Sequence, residues 1–152
     1  MKLAEALVIR SDLQRKIDDL QNRVNNNASV QEGEKPAEEP ALLLTQLDSS
    51  LLELEKLISA INHTNAIVRN AEGKTMTQLL AARDCLKKRI SVMRCFLGNA
   101  AFPAHRTRTS EIVFKSTIPV QELQKTVDDY SAQLRRLELD IQALNWCSDL
   151  SE

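Results

Sequence analysis

The sequence predicts an all-α fold, an elongated bundle of four long amphipathic helices with one short strand or β-hairpin-like connection. Aromatic residues make up only 3% of the 152 residues, and the chain has three glycines, which favours helices over a β-sandwich. Along four segments, apolar residues recur at alternating spacings of three and four, the spacing of one helix face. These segments are longer than the average globular helix of about 11 residues, so they fit an elongated bundle or helical hairpins that complete their core by oligomerising.

The central predicted helix covers residues 41–69, and we expect it to end near Gly73, which can supply a left-handed C-cap. Asn65 is the only polar member of its expected buried stripe, and an asparagine in such a seam fixes register and oligomeric state at a cost in stability. The stripe consists of Leu44, Leu47, Leu51, Leu54, Ile58, Ile61, Asn65 and Val68.

The other helices are predicted over residues 2–25, 76–97 and 120–145, within a single helical domain that covers residues 1–152. Three asparagines at 25–27 end the first helix, since asparagine tolerates left-handed and turn conformations. Thr75 and Gln78 form a capping box at the start of the third. Pro119 starts the fourth, on which Arg136 and Asp140 are spaced for an ion pair.

Residues 111–118 alternate between apolar and polar side chains, which predicts one short strand. A lone strand leaves its backbone groups unpaired, so this strand needs a partner. The partner is either residues 28–31 of the same chain, which we favour, or another subunit.

Charge is segregated along the chain, although the formal net charge is only −1. Residues 32–55 contain seven acidic residues and one lysine, whereas residues 83–108 contain seven basic residues and one aspartate. Opposite charges of this kind steer two regions towards each other, within a subunit or between subunits. Phosphate contacts by the basic region are the alternative, but it has few aromatic stacking partners, so we predict no nucleic-acid partner.

The sequence lacks the common motifs of catalytic and metal-binding sites. Glycine occurs only at 33, 73 and 98, so the chain contains neither a phosphate-binding glycine loop nor a Gly-x-Ser-x-Gly elbow. Neither His63 nor His105 has a glutamate three residues earlier, as a di-iron bundle would require, and no Cys-x-x-Cys pair suggests zinc. We therefore predict no enzyme activity, no metal and no cofactor.

The cysteines and the N-terminal sequence predict a cytoplasmic protein. Cys85, Cys95 and Cys147 make an odd number, which favours reduced thiols. Charged residues interrupt the apolar N-terminal residues, so we expect no signal peptide. Residues 57–68 are the longest run without Asp, Glu, Lys or Arg, too short to span a bilayer as a helix.

Polar residues within the predicted seams, with a tryptophan at the end of the last helix, form the candidate binding set: Arg10, Asn62, Asn65, Arg83, Asn145 and Trp146. One interpretation is a buried pocket for a small polar ligand, to which His63 would also belong. The other is structural: the asparagines fix register, and the arginines pair with carboxylates such as Asp84 or Asp48. Trp146 would then plug the bundle end or anchor an interface.

Several segments resemble the septicolysin-like family of small bacterial proteins. They are MKLAEAL at 1–7, VQEGE at 30–34 followed by Pro36, INHTN at 61–65, Arg83-Asp84, Ser110-Glu111-Ile112 with Phe114-Lys115, Leu123-Gln124 and Asn145-Trp146. The family name implies an oxygen-labile, pore-forming cytolysin. The residues oppose that function, because the single predicted strand is too short for a β-pore and the helical seams carry Asn and Arg.

The sequence therefore predicts a cytoplasmic helical bundle that forms a homo-oligomer and acts through protein contacts, possible protein partners included, rather than by catalysis. A toxin, with the membrane as its target, is the first alternative. A ligand-binding protein or enzyme that uses the Asn/Arg cluster is the second.

Overall fold

The computed structural model describes residues 1–101 and 116–151. It contains four helices, α1 (Leu3–Asn26), α2 (Pro40–Ile67), α3 (Met76–Ala101) and α4 (Val120–Cys147), which confirms the predicted all-α bundle. The chain divides into two compact units, each described by itself below. Unit 1 comprises Met1–Val68 with Leu144–Glu152, and unit 2 comprises Arg69–Ala143.

In unit 1, α1 packs against α2 through the apolar seam expected for the first helix. Asn27 stops α1 with its side chain, because Nδ2 donates to the Arg23 carbonyl (2.9 Å) and Oδ1 accepts from the Glu38 amide (3.0 Å). With φ −104° and ψ 8°, Asn27 adopts the turn conformation and not the left-handed one of the two that the sequence predicted. Arg23 also donates to the Glu38 carboxylate, which lowers the pKa of Glu38.

Two positions of the predicted stripe of α2, Leu44 and Leu51, are exposed, and the other six are buried or half-buried. The fully buried positions of α2 are Leu43, Ser50, Ile61 and Thr64, and the half-buried ones, which include Ile58 and Asn65, lie beside them. With about 100° per residue, this places the buried face roughly 50° around the helix from the predicted one.

Ser50 provides a direct test of this orientation. Its side chain is 1% exposed, and its Oγ has no hydrogen-bond partner among the described residues. Ser50→Ala should raise the free energy of unfolding by about 1 kcal/mol, because the unsatisfied hydroxyl is removed and alanine favours the helix. Urea unfolding measures this.

The neighbouring Ser49→Ala is the matched control, since Ser49 is exposed and donates to the Thr45 carbonyl (3.0 Å). We expect it to change stability by less than about 0.5 kcal/mol, because surface substitutions have small effects. Equal effects of the two substitutions would contradict the observed orientation of α2.

Between α2 and α3 the chain makes a tight turn. Gly73 adopts φ +80° within this turn, where its amide donates to the Asn70 carbonyl (2.9 Å). Since α2 already ends at Ile67, Gly73 shapes the turn and is not the helix C-cap that we predicted. The predicted capping box of α3 is confirmed: Thr75 N donates to Gln78 Oε1 (2.9 Å) and Gln78 N donates to Thr75 Oγ1 (3.2 Å).

In unit 2, α3 and α4 lie side by side. Lys87 pairs with Glu138 (2.7 Å), and Arg94 donates to the Ser131 hydroxyl (3.2 Å). The seams between them bury Leu79, Ile90 and other apolar side chains of α3 and α4. All seven positions of the predicted seam of α4 are buried or half-buried, six of them in unit 2 and Leu144 in unit 1: Leu123, Val127, Tyr130, Leu134, Leu137, Ile141 and Leu144.

The predicted strand at 111–118 lies outside the described residues except for its last three positions, which form a bend and not a strand. Its favoured partner, residues 28–31, makes no β-bridge with any described residue. Within the described part of the chain, the isolated bridges are Lys2 with Asp149 and Arg69 with Thr75.

Candidate functional site

The principal exposed apolar surface of unit 1 lies on α2. We call Leu44, Asp48, Leu51 and Glu55 the α2 outer row, because they follow one another at spacings of four, three and four. Leu51 is 44% exposed and the adjoining Leu52 58%. Leu44 and Leu51 lie on one face of the helix with Asp48 between them, and Leu52 adjoins Leu51, so three exposed leucines cluster on this part of α2.

Carboxylates alternate with the leucines of the α2 outer row. Asp48 and Glu55 are exposed and take part in none of the ion pairs between described residues. The row therefore combines an apolar strip with free negative charge, the combination by which coiled-coil helices select partners.

Unit 2 contains a groove between α3 and α4, with a volume of about 770 Å³. Its lining includes the apolar side chains Leu79, Leu86 and Leu137, together with the guanidinium groups of Arg89 and Arg136. Six further lining residues are polar or charged, so the groove combines an apolar floor with a largely polar rim: Asn70, Glu72, Lys74, Gln78, Gln133 and Asp140.

The two arginines of this groove are held differently. Arg89 lies over the Tyr130 ring, 5.2 Å from its centroid, and donates to the Tyr130 hydroxyl (3.4 Å). Arg136 forms no ion pair with a described residue, so the predicted pair with Asp140 is not formed. Arg136 therefore presents its charge to a groove that Asp140 also lines.

The two ends of the chain are joined in unit 1, in an arrangement that we call the terminal clasp. The Leu3 amide donates to the Ser148 carbonyl (2.9 Å), and the Leu150 amide donates to the Met1 carbonyl (2.8 Å). The Ser151 amide donates to Thr64 Oγ1 (2.9 Å), which ties the C-terminal residues to α2.

An exposed ion pair accompanies the terminal clasp. Lys2 Nζ lies 2.9 Å from Asp149 Oδ1, and this hydrogen bond lowers the pKa of Asp149 and raises the pKa of Lys2. Since the pKa of Asp149 is lower in the folded chain, the pair supports the fold above the unfolded pKa of the aspartate. Its contribution is lost as the pH falls through the folded pKa.

The structure distributes the predicted polar set among several environments. Asn62 and His63 are exposed, so they do not lie in a buried pocket. Asn65 is half-buried, and its role in fixing register stays a prediction. Arg10 is half-buried in the α1 seam as expected, but its buried Nε has no hydrogen-bond partner among the described residues.

The remaining members are equally varied. Arg83 belongs to unit 2 and binds the neighbouring Asp84 through Nε (2.9 Å) and Nη2 (2.8 Å). The sequence analysis named Asp84 as a partner, but this aspartate is exposed and not buried. Asn145 is buried in unit 1, whereas Trp146 is 61% exposed. An exposed tryptophan is not a plug, so the interface interpretation of Trp146 is the one that remains.

Sequence reasoning missed the groove of unit 2 and the outward orientation of Leu44 and Leu51. The sequence did contain a signal for the outward orientation of these leucines, because adjacent leucines such as Leu43 and Leu44 make α2 apolar on more than one face. The signal for the groove was weaker, because its lining combines residues of two helices that are separated along the chain by about 50 positions.

Three further observations concern chemistry. Cys85, Cys95 and Cys147 are free and exposed. Among residues 1–101 and 116–151, no group of three His, Cys, Asp or Glu side chains is arranged to hold a metal ion. None of the helices in this part of the chain combines the length and apolarity that a membrane crossing requires.

The fold and its surfaces define a class of all-α helical-bundle protein with an exposed apolar helix face and a separate groove. The chain belongs to DUF6847, a family of unknown function, which matches residues 10–150. It is similar to a functionally unknown conserved protein from Corynebacterium diphtheriae, whose crystal structure superposes with a TM-score of 0.92 at 34% identity over 99% of each chain. No curated protein matches the chain.

These comparisons correct the resemblance inferred from sequence segments. Both the family and the crystal structure are of unknown function, and neither has a link to septicolysin. The septicolysin-like assignment is therefore wrong, and the toxin alternative derived from it has no support. Short segments such as Asn145-Trp146 are too common to identify a family without a match over the whole chain.

Proposed function

We propose that this chain is a non-catalytic, cytoplasmic protein that forms a homo-oligomer and acts through protein contacts. The observation that carries the proposal is the α2 outer row with Leu52 beside it, an exposed surface with three leucines on a helix whose adjoining face already packs in unit 1. The absence of catalytic motifs from the sequence supports a non-catalytic role. The three free, exposed cysteines support the cytoplasm.

Burial of this strip would supply a substantial driving force. Burying a fully exposed leucine side chain contributes about 1.5–3 kcal/mol, and since Leu44, Leu51 and Leu52 are already about half covered, each offers roughly half of this gain. Part of this gain offsets the lost freedom of the associating chains, so the structure favours measurable self-association and not an extremely tight complex.

Light scattering after size-exclusion chromatography tests the proposal at protein concentrations of roughly 1–100 µM. We expect the wild type to show a mass above that of one chain, and Leu51→Lys to raise the dissociation constant about 100-fold, because a charge replaces an apolar contact. Leu139→Lys is the matched control, since Leu139 is an exposed leucine of α4 in unit 2.

A wild-type chain that stays monomeric at the highest concentration would overturn the proposal. Equal effects of the two leucine substitutions would show that α2 has no special part in association. Circular dichroism of each variant separates loss of association from loss of the fold.

A further inference from the structure

We infer that the α2 outer row of one copy docks into the α3/α4 groove of a second copy. The inference rests on the proposed self-association and identifies the two surfaces that meet. Leu44 and Leu51 are 47% and 44% exposed, so the described residues leave part of each side chain uncovered. The groove is the matching feature, because it offers an apolar floor of sufficient volume.

The shapes correspond to the helix-in-groove mode of recognition, in which an amphipathic helix inserts its apolar side chains between two others. Leu44 and Leu51 are two helical turns apart, or about 10 Å. Leu79, Leu86 and Leu137 provide the floor against which they would pack.

Charge selects a second copy as the occupant. Asp48 and Glu55 flank Leu51 and have no partner in an ion pair between described residues, while Arg89 and Arg136 line the groove. The rim also includes Asp140 and a Glu72–Lys74 pair (2.8 Å), which is self-neutralised. The wider sequence has the same polarity, acidic over residues 32–55 and basic over residues 83–108.

Two charge-reversed variants test the pairing. The first, Asp48→Lys with Glu55→Lys, makes the α2 outer row basic, and the second, Arg89→Glu with Arg136→Glu, makes the groove acidic. When either variant is studied alone, every contact between the row and the groove brings like charges together, so we expect the dissociation constant of that variant to rise at least about tenfold. An equimolar mixture restores opposite charges in the contact between the basic row of one variant and the acidic groove of the other, and should recover association.

Control variants keep the result interpretable. Lys88→Glu reverses an exposed charge on α3 that does not line the groove, and it should leave association unchanged. Arg136→Glu is also measured alone, because Arg89 contacts Tyr130 and its replacement disturbs α3 and α4 directly. Circular dichroism verifies that each variant is folded.

Thiol labelling gives a second measurement on the wild-type protein. Cys85 lines the groove, whereas Cys95 lies on the same helix outside it, and both are exposed in the single chain. As the protein concentration rises through the association range, maleimide labelling of Cys85 should slow several-fold while labelling of Cys95 stays constant.

The outcomes separate the inference from the proposed function. An oligomeric wild type whose charge-reversed variants associate normally overturns the pairing but leaves self-association intact. Variants that are folded and monomeric both alone and in the mixture also overturn the pairing, since opposite charges then fail to restore it. A monomeric wild type overturns both.

Discussion

Replacing Ile61 by alanine should lower the free energy of unfolding by about 3 kcal/mol, because large-to-small substitutions in a core cost about 2–5 kcal/mol. Ile61 is 1% exposed in the middle of the observed seam of α2. The substitution removes apolar contacts and leaves a cavity that the surrounding helices fill only in part. Urea unfolding followed by circular dichroism measures the change.

Ile67→Ala is the matched control, because it makes the same chemical change on the same helix at a side chain that is 49% exposed. We expect a loss of less than about 1 kcal/mol there, since half of the side chain remains in water in the folded state. If both substitutions cost the same, the apolar face of α2 is not packed as the structure shows.

Ile61 also illustrates how much of α2 the sequence could predict. Six positions of the predicted stripe are buried or half-buried, so the helix and most of its inward positions follow from spacing alone: Leu47, Leu54, Ile58, Ile61, Asn65 and Val68. The outward orientation of Leu44 and Leu51 does not follow, because α2 carries apolar residues on two adjoining faces and both sets have helical spacing. Hydropathy then favours Leu51 over Ser50, whereas the packing of α1 buries Ser50.

The seams of α1 and α4 were more predictable than that of α2. The seam of α4 is unbroken from Leu123 to Leu144, and although Leu139 outside it is exposed, only one orientation buries all seven seam positions. In α1 the same logic placed even Arg10 correctly, half-buried with its Nε enclosed. That Arg10 Nε has no hydrogen-bond partner among the described residues could not be predicted, because hydrogen bonding depends on side-chain positions and not on periodicity.

The candidate site was less accessible to sequence reasoning than the fold. Spacing along one helix identifies residues that share a face, but the groove of unit 2 combines α3 with α4, and only the packed structure brings Arg89 and Arg136 to the same groove. The opposite charges of residues 32–55 and 83–108 were the one sequence signal that pointed to these surfaces. That signal could not distinguish contacts within a chain from contacts between chains.

Replacing Thr64 by valine should lower the free energy of unfolding by about 2 kcal/mol, although the two side chains have nearly the same shape. Thr64 is fully buried, and its Oγ1 donates to the Ala60 carbonyl (2.8 Å) while accepting from the Ser151 amide (2.9 Å). Valine leaves that amide without its partner, and an unsatisfied buried donor costs about 1–3 kcal/mol. Chemical denaturation measures the loss.

Two comparisons isolate the bond to the terminal clasp. Thr45→Val removes a hydroxyl that is exposed and donates only to the Ala41 carbonyl (2.9 Å), so its effect should stay below about 0.5 kcal/mol. Amide hydrogen exchange should accelerate at Ser151 and Leu150 in Thr64→Val and remain unchanged in Thr45→Val, because the clasp opens locally once its link to α2 is lost. Unchanged exchange in both variants would show that the backbone bonds between Met1 and Leu150 hold the chain ends without Thr64, and that the stability of the clasp resides in its main chain.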